Sequence, residues 1–300
     1  MSQVFGGIEA GGTKFVCMVG NSPERIVDEI RFPTSHPDKT IQKAVDFFQP
    51  YARGGQLAAV GVAAFGPVDL NPDSPTYGYI TTTPKPEWGQ VDLQPRLRQA
   101  LNLPIAFDTD VNAAAFGEQY WVEEHRSLDP FIYMTVGTGI GVGVVANGRP
   151  LHGLVHPEAG HMSIPHDKQR DPFPGTCPYH GDCLEGLASG PAVAQRWGRA
   201  AEALPGDHPA WELEAEYIAL ALANLICALS PQRIVLGGGV GQHPGLLEKV
   251  RSGVQRQLNG YIHSSWIFEK ITAYIVPPAL GSRSGVLGAI ALAIDLCQST

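Results

Sequence analysis

Val4-Phe-Gly-Gly-Ile8-Glu-Ala-Gly11-Gly12-Thr13-Lys14-Phe15-Val-Cys-Met-Val19 is the stretch from which the rest of the chain can be read. Apolar Val4, Phe5 and Ile8 lead into a glycine pair, and the apolar run Phe15 to Val19 leads out of it. The pattern predicts two strands around a tight turn, because glycine accepts the backbone angles such a turn demands. The theme returns at Phe131–Leu151, where the turn Gly137-Thr138-Gly139-Ile140-Gly141 again separates two apolar segments. The recurrence points to two lobes with related β starts.

Between and beyond these hairpins, strands alternate with helices. Arg25–Phe32 alternates as a third strand, Asp38–Tyr51 reads as a helix, and the small apolar run Ala58–Phe65 reads as a buried strand closed by Gly66-Pro67. The stretch Asp69–Gln90, with Pro72, Pro75, Pro84 and Pro86, reads as a long functional loop. Pro104–Asp108 is a further strand, and a helix follows from Val111. After an irregular segment, His152–Gly186, helices are expected at Pro191–Leu204, Trp211–Leu229, Gly245–Leu258 and Ser284–Cys297, with strands at Arg233–Leu236 and Ile271–Val276. The alternation argues an α/β fold with mixed sheets.

Composition narrows the function. The 300 residues carry 21 Lys plus Arg against 29 Asp plus Glu, a net charge of −8, with no basic run to follow a phosphate backbone or an anionic membrane. Nucleic acid and membrane are therefore not expected partners. The longest apolar stretch, Gly285–Ile294, is short of the ~20 residues that span a bilayer, and the opening Met1–Gly7 has no basic segment ahead of an apolar one. A cytoplasmic, unprocessed chain is expected. Five scattered cysteines argue against a disulfide framework and suit a reducing compartment.

Three glycine turns follow apolar strands: Glu9-Ala-Gly11-Gly12-Thr13-Lys14, Val136-Gly137-Thr138-Gly139, and Leu236-Gly237-Gly238-Gly239-Val240-Gly241. A bare backbone can approach a phosphate closely and offer N–H donors to it. The first turn has neither P-loop nor dinucleotide-fingerprint spacing, so a nucleotide site here is of another type. Asp108-Thr109-Asp110 stands where a strand gives way to a helix; an Asp there serves either as a helix cap or as a general base for a sugar hydroxyl. His161 and Cys177-Pro-Tyr-His180-Gly-Asp-Cys183 supply two thiolates and two imidazoles, the ligand count and softness of a closed, structural tetrahedral Zn²⁺ site. Glu158 and Glu185 flank this knot and are candidates to read sugar hydroxyls. His152, His156 and His166 read as solvated or hydrogen-bonded loop histidines.

Taken together these segments resemble the ROK family of sugar kinases and regulators over essentially the whole chain. The motifs that carry the resemblance are Ile8–Phe15, Asp110-Val-Asn-Ala-Ala-Ala-Phe-Gly-Glu118, Gly137–Gly143, His156-Pro-Glu-Ala-Gly-His161, Cys177–Gly190 and Ile234–Val240. Within the family, the opening turn and the Cys-Pro-Tyr-His-Gly-x-Cys knot are most similar to bacterial fructokinases. The resemblance implies the actin-like ATPase (ribonuclease H-like) fold, two α/β lobes closing over a cleft. The first lobe would hold residues 1–115 plus 284–300, and the second 116–283 with the zinc-binding loop 156–186. It implies ATP-dependent phosphorylation of a hexose 6-hydroxyl, fructose above all, by a homodimer. By position, Asp110 would be the base, and Glu158, His161 and Glu185 would contact the sugar. Gly11, Gly12, Thr13, Lys14, Gly137, Thr138 and Gly139 would face the phosphates, with Ser189, Gly190, Gly237, Gly238, Gly239, Val240 and Gly241 on the adenosine side. His161, Cys177, His180 and Cys183 would hold Zn²⁺, and Glu9 would sit near the Mg²⁺ that accompanies ATP.

Three positions depart from the family pattern. Thr109 stands where many glucokinases have Asn, Pro84-Lys85-Pro86-Glu87-Trp88 lacks a Pro-Asn, and His180 replaces a cysteine more usual in the knot. The first two changes favour fructose or a permissive pocket, so a broader hexose or N-acylmannosamine kinase stays open. A sugar-sensing repressor is disfavoured, because the first phosphate turn begins by residue 9 and no basic DNA-binding segment precedes it.

Overall fold

The computed structural model describes residues 3–298. In chain order the elements are β1 (Val4–Ala10), β2 (Lys14–Ser22), β3 (Arg25–Pro33), α1 (Pro37–Arg53), β4 (Leu57–Ala64), α2 (Leu93–Leu101), β5 (Ile105–Thr109) and α3 (Asp110–Trp121). They continue with β6 (Phe131–Val136), β7 (Ile140–Ala146), β8 (Arg149–Pro150), α4 (Leu184–Ala188), α5 (Gly190–Trp197), α6 (Ala210–Leu229) and β9 (Arg233–Gly237). The chain closes with α7 (Leu246–Leu258), α8 (Ser265–Phe268), α9 (Ile271–Tyr274), β10 (Ile275–Val276) and α10 (Ser284–Gln298). Among the described residues no helix is long and apolar enough to cross a membrane.

Two compact units result. The first comprises the residues up to Ser127, Gly143–Pro157, and the chain from Ala279 onward; the second comprises Leu128–Val142 and Glu158–Pro278. The boundary drawn at residue 115 would cut α3, which the structure keeps whole in the first unit. The reason is packing: a Cβ added to Gly288 of α10 would lie 1.8 Å from the Ala113 carbonyl, so the two helices touch backbone to backbone.

The first unit is built on a sheet of order β3-β2-β1-β4-β5. β1, β2 and β3 pair antiparallel, and β4 and β5 run parallel to β1. One face buries Phe15, Val62 and Phe107 against Ile41, Val45 and Phe48 of α1 and against Trp88. On the other face, Val16 and Met18 meet Val286, Leu287 and Ile290 of α10. That helix lies close because β4 offers no side chain at Gly61, where a Cβ would come within 1.8 Å of the Ala289 carbonyl. Its start is pinned by Glu118 of α3, fully buried, whose carboxylate accepts from the Ala279 and Leu280 N–H groups (3.1 and 3.0 Å) and the Ser284 hydroxyl (2.7 Å). Burial pushes the Glu118 pKa up against these bonds.

In the second sheet the order is β10-β9-β6-β7-β8, with β9 parallel to both β6 and β10. β7 leaves the second unit after Val142. The irregular stretch ahead of α4 is braced by buried polar groups. Asp171 accepts from Arg196 Nε (3.2 Å) and the Tyr217 hydroxyl (2.6 Å), and His166 stands 3.0 Å from Asp182.

Several elements differ from the sequence expectation, the short helices α4 and α8 being additions to it. The helix expected at Pro191–Leu204 stops at Trp197, because Gly198 takes φ +68° and ends it; Ala201–Ala203 is a separate 3₁₀ turn. Only Ile275–Val276 of the expected strand Ile271–Val276 pairs with β9, and Ile271–Tyr274 forms a helical turn. α2 was not expected at all, although Leu93, Leu97 and Leu101 are all buried along one face.

Candidate active site

At the carboxyl end of β5 the chain turns directly into α3. The cap of that helix is Thr109, whose hydroxyl accepts from the Asn112 N–H at 3.1 Å. Asp110 is thus the first helical residue and not the cap, and its Oδ1 accepts from the Val111 N–H at 2.9 Å. A carboxylate at this end of a parallel strand pair stands where open α/β sheets present chemistry.

In the same unit, the Gly11-Gly12-Thr13-Lys14 turn joins β1 to β2. Gly11 N–H donates to the Lys14 carbonyl (3.0 Å), and the Thr34 hydroxyl and N–H donate to the carbonyls of Gly11 (2.6 Å) and Thr13 (2.9 Å). Thr13 and Lys14 are exposed beyond this frame. The departing loop Pro84–Trp88 docks on the same support: Lys85 Nζ donates to the Thr34 carbonyl (3.4 Å), and buried Trp88 donates through Nε1 to the Ser35 carbonyl (2.9 Å). Glu9 turns toward the first turn of α10 and accepts from the Val286 N–H; burial raises its pKa, against the pull of Lys14.

In the second unit the glycine segments expected on the phosphate and adenosine sides converge. Gly190 N–H donates to the Gly137 carbonyl at 2.7 Å, and the Val240 and Gly241 N–H groups donate to the Val136 carbonyl at 2.9 and 3.1 Å. Gly238 has φ +86°, and a Cβ there would meet the Val136 carbonyl at 2.3 Å, so the backbone fold of this corner requires glycine. Ser189 caps α5 by accepting from the Ala192 N–H.

Beside this corner lies the knot. The ligand atoms of His161, Cys177, His180 and Cys183 all fall within 4.8 Å of one another. His161 Nδ1 is 3.6 Å from both the Cys177 and Cys183 sulfurs, and His180 Nδ1 is 3.6 Å from Cys177 Sγ. Two thiolates and two imidazoles facing a common centre fit a four-coordinate Zn²⁺. Burial raises the Cys183 thiol to about 11, which a bound cation would reverse.

His161 has a second face. Its Nε2 is 3.9 Å from Glu185 Oε1, while Glu185 Oε2 accepts from the Ile140 N–H at 2.9 Å, immediately after the Gly137–Gly139 turn. A side chain at Gly139 would come within 2.7 Å of that carboxylate oxygen. Glu158 is exposed to solvent as a residue, yet desolvation of its carboxyl pushes its pKa up to about 7, with Glu185 adding repulsion. Every sequence candidate of the second unit thus falls into one connected set: the knot, the two carboxylates and the glycine corner. Asp110 and the Gly11–Lys14 turn belong to the first unit. His152 and His156, read from the sequence as solvated or hydrogen-bonded loop histidines, are hydrogen-bonded: His152 Nε2 lies 2.9 Å from Asp108 Oδ2, and His156 Nε2 accepts from the Val68 N–H.

The chain is similar to known proteins over nearly its whole length. The ROK family model matches residues 5–296. The chain is 43% identical to a fructokinase of Zymomonas mobilis subsp. mobilis over 97% of both chains. It is 42% identical to a fructokinase of Pediococcus pentosaceus over 97% of this chain and 98% of that one. The crystal structure of a ROK hexokinase from Thermus thermophilus superposes with a TM-score of 0.78 at 27% identity, covering all of both chains.

Proposed function

The chain belongs to the ROK family, and from that premise we propose that it is a fructokinase, transferring the terminal phosphoryl group of ATP to the 6-hydroxyl of D-fructose. Its fold is that of the actin-like ATPases. The observation that carries the reading is Glu185: one oxygen is bonded at the Gly137–Gly139 turn and the other approaches His161 of the knot. A phosphate-type turn and a sugar-type carboxylate are therefore built as one piece, as a sugar kinase needs and a bare zinc module does not.

In this reading Asp110 takes the proton of the attacking hydroxyl as the oxygen closes on the phosphorus. Glu158, His161 and Glu185 hold the sugar hydroxyls, the carboxylates accepting and so fixing the ring for attack. Backbone N–H groups of Gly12, Thr13, Thr138 and Gly139, with the Thr13 and Thr138 hydroxyls and Lys14, bind the phosphates, while Gly11 and Gly137, whose own N–H groups close their turns, shape the two loops. Ser189, Gly190 and Gly237–Gly241 face the adenosine. Mg²⁺ arriving with ATP supplies neutralisation of phosphate charge, and Glu9 is the acidic group assigned to its neighbourhood. His161, Cys177, His180 and Cys183 hold a structural Zn²⁺ that keeps Glu158 and Glu185 in place. With two thiolates and neutral imidazoles the site is formally uncharged, so it stiffens the loop without drawing the sugar electrostatically. We infer a homodimer, which light scattering tests directly, and a cytoplasmic location.

The test is coupled ADP release on zinc-quantified protein with Mg-ATP and fructose, mannose, glucose or N-acetylmannosamine. Preference for fructose is expected. Preference for an aldohexose would move the assignment to a broader hexose kinase, which the loss of the Asn amide at Thr109 leaves open. No ADP from any sugar would replace catalysis with sugar sensing.

A further inference from the structure

Two residues before Asp110, Asp108 is only 2% exposed, and both of its carboxylate oxygens are engaged. Oδ1 accepts from the Thr109 N–H at 2.7 Å and from Asn112 Nδ2 at 2.8 Å. Oδ2 lies 2.9 Å from His152 Nε2. A buried carboxylate is tolerated only when paired and hydrogen-bonded, and His152 is the ion-pairing partner the structure gives it. The imidazole comes from the loop after β8 and is about half exposed. The far end of the same loop is tied down by His156, whose Nε2 accepts from the Val68 N–H at 3.1 Å and so carries its proton on Nδ1.

The bonds of Asp108 fall on the two residues that bracket the proposed base. Thr109 caps α3, and Asn112 receives that cap; Asp110 stands between them. Whatever fixes Asp108 fixes the direction in which Asp110 leaves the strand. We propose that His152 is a positioning residue for phosphoryl transfer, acting through Asp108 to hold the β5–α3 junction so that Asp110 is presented to the attacking hydroxyl. The inference rests on the reading of Asp110 as base. The bond to Asp108 raises the His152 pKa above the usual imidazole value, while nearby His156 is lowered by burial, and the Tyr77 hydroxyl, raised by burial and then by Asp108, feels the same carboxylate. The positioning role needs only the Nε2–H donor, which both protonation states of the ring can supply.

Three substitutions test it in the full chain under saturating Mg-ATP. His152→Leu removes the donor and is expected to lower kcat roughly ten- to hundredfold, the scale of a misplacement of about 1 Å, with fructose KM within about twofold of the parent. His152→Gln places an amide N–H where Nε2 stood and is expected to recover kcat to within about threefold. His152→Asn, polar but too short to reach Asp108, should behave as Leu, which separates the bond from general loop packing. Adding Asp108→Asn to His152→Leu should cost little beyond the worse single change, since the two act as one unit. Unchanged kcat in His152→Leu, equal loss in His152→Gln, or a rise in fructose KM at constant kcat would each overturn the proposal, the last by making His152 a sugar contact. Asp110→Asn, measured alongside, separates the two readings: if it keeps kcat, the base assignment fails, whereas a dead Asp110→Asn beside a normal His152→Leu fails this inference alone.

Discussion

His161 faces the Cys177 and Cys183 sulfurs with Nδ1 and Glu185 with Nε2, so one imidazole belongs to both the Cys/His knot and the carboxylate pair. A metal ligand's second nitrogen commonly orients a carboxylate. Here that carboxylate is one assigned to the sugar, and loss of the ion should be felt first as loss of sugar affinity.

Removing zinc with a chelator, or replacing Cys177 with Ser, should therefore raise fructose KM about tenfold or more while ATP binding, measured by calorimetry, changes less. Metal content by atomic absorption should fall from one ion per chain toward none. A metal-free preparation with the parent KM would separate the knot from the sugar site.

Asp110→Asn keeps the size of the side chain and removes its basicity. Turnover should fall by about 10²–10⁴-fold, the usual worth of a general base, while fructose binding measured by tryptophan fluorescence or calorimetry holds within a few-fold. Retained kcat would return Asp110 to a structural role.

Glu158, pushed up to about 7 by burial and by Glu185, gives the sugar site a pH dependence. If its carboxylate accepts from a hydroxyl, fructose KM should rise as pH falls through about 7, approaching tenfold per pH unit below it. The sign for stability is opposite: the folded chain keeps this proton where the unfolded chain loses it, so the contribution is present at pH below the ordinary carboxylate value and is lost as pH rises through about 7. Glu158→Gln should flatten both profiles between pH 5 and 8. A KM profile unaltered by Glu158→Gln would assign the titration elsewhere.

Gly61→Ala should be costly out of proportion to one methyl, because the new carbon meets the Ala289 carbonyl at 1.8 Å and backbone must move. A loss of at least about 1–3 kcal/mol is expected from overpacking alone, read as a fall in the urea midpoint. Gly206→Ala, where the same carbon meets nothing within 4 Å, is the control and should be neutral or slightly stabilising.

The sequence carried the strands and the knot because each signal is local. Val4–Val19 spells out its own hairpin, and His180, Cys177 and Cys183 share a short loop, so only His161 had to be brought in from a distance. What stayed hidden depended on partners far along the chain. The extent of the first unit follows from a backbone contact between Ala113 and Gly288 that no periodicity announces. Strand Ile271–Val276 lost its first four residues to a helical turn, and β9, at Arg233–Gly237, pairs with only Ile275 and Val276. α2 is a different case: Leu93, Leu97 and Leu101 have helical spacing, so this short helix is legible in the sequence itself. His152 was legible as a hydrogen-bonded loop histidine, but its partner was not, since the contact with Asp108 spans 44 residues of sequence.

The packing of α10 onto β1 and β4 also sets an order of events during synthesis. The first sheet is translated early, yet the helix that covers one of its faces emerges after every strand of both sheets. Until then Val16 and Met18 face water or a chaperone, and a nascent chain stalled before Ser284 carries a finished sheet with an open apolar side. The first unit therefore completes its packing only once α10 has been made, although most of its residues are made earlier, and a pause in translation ahead of Ser284 should increase capture of the chain by holdases.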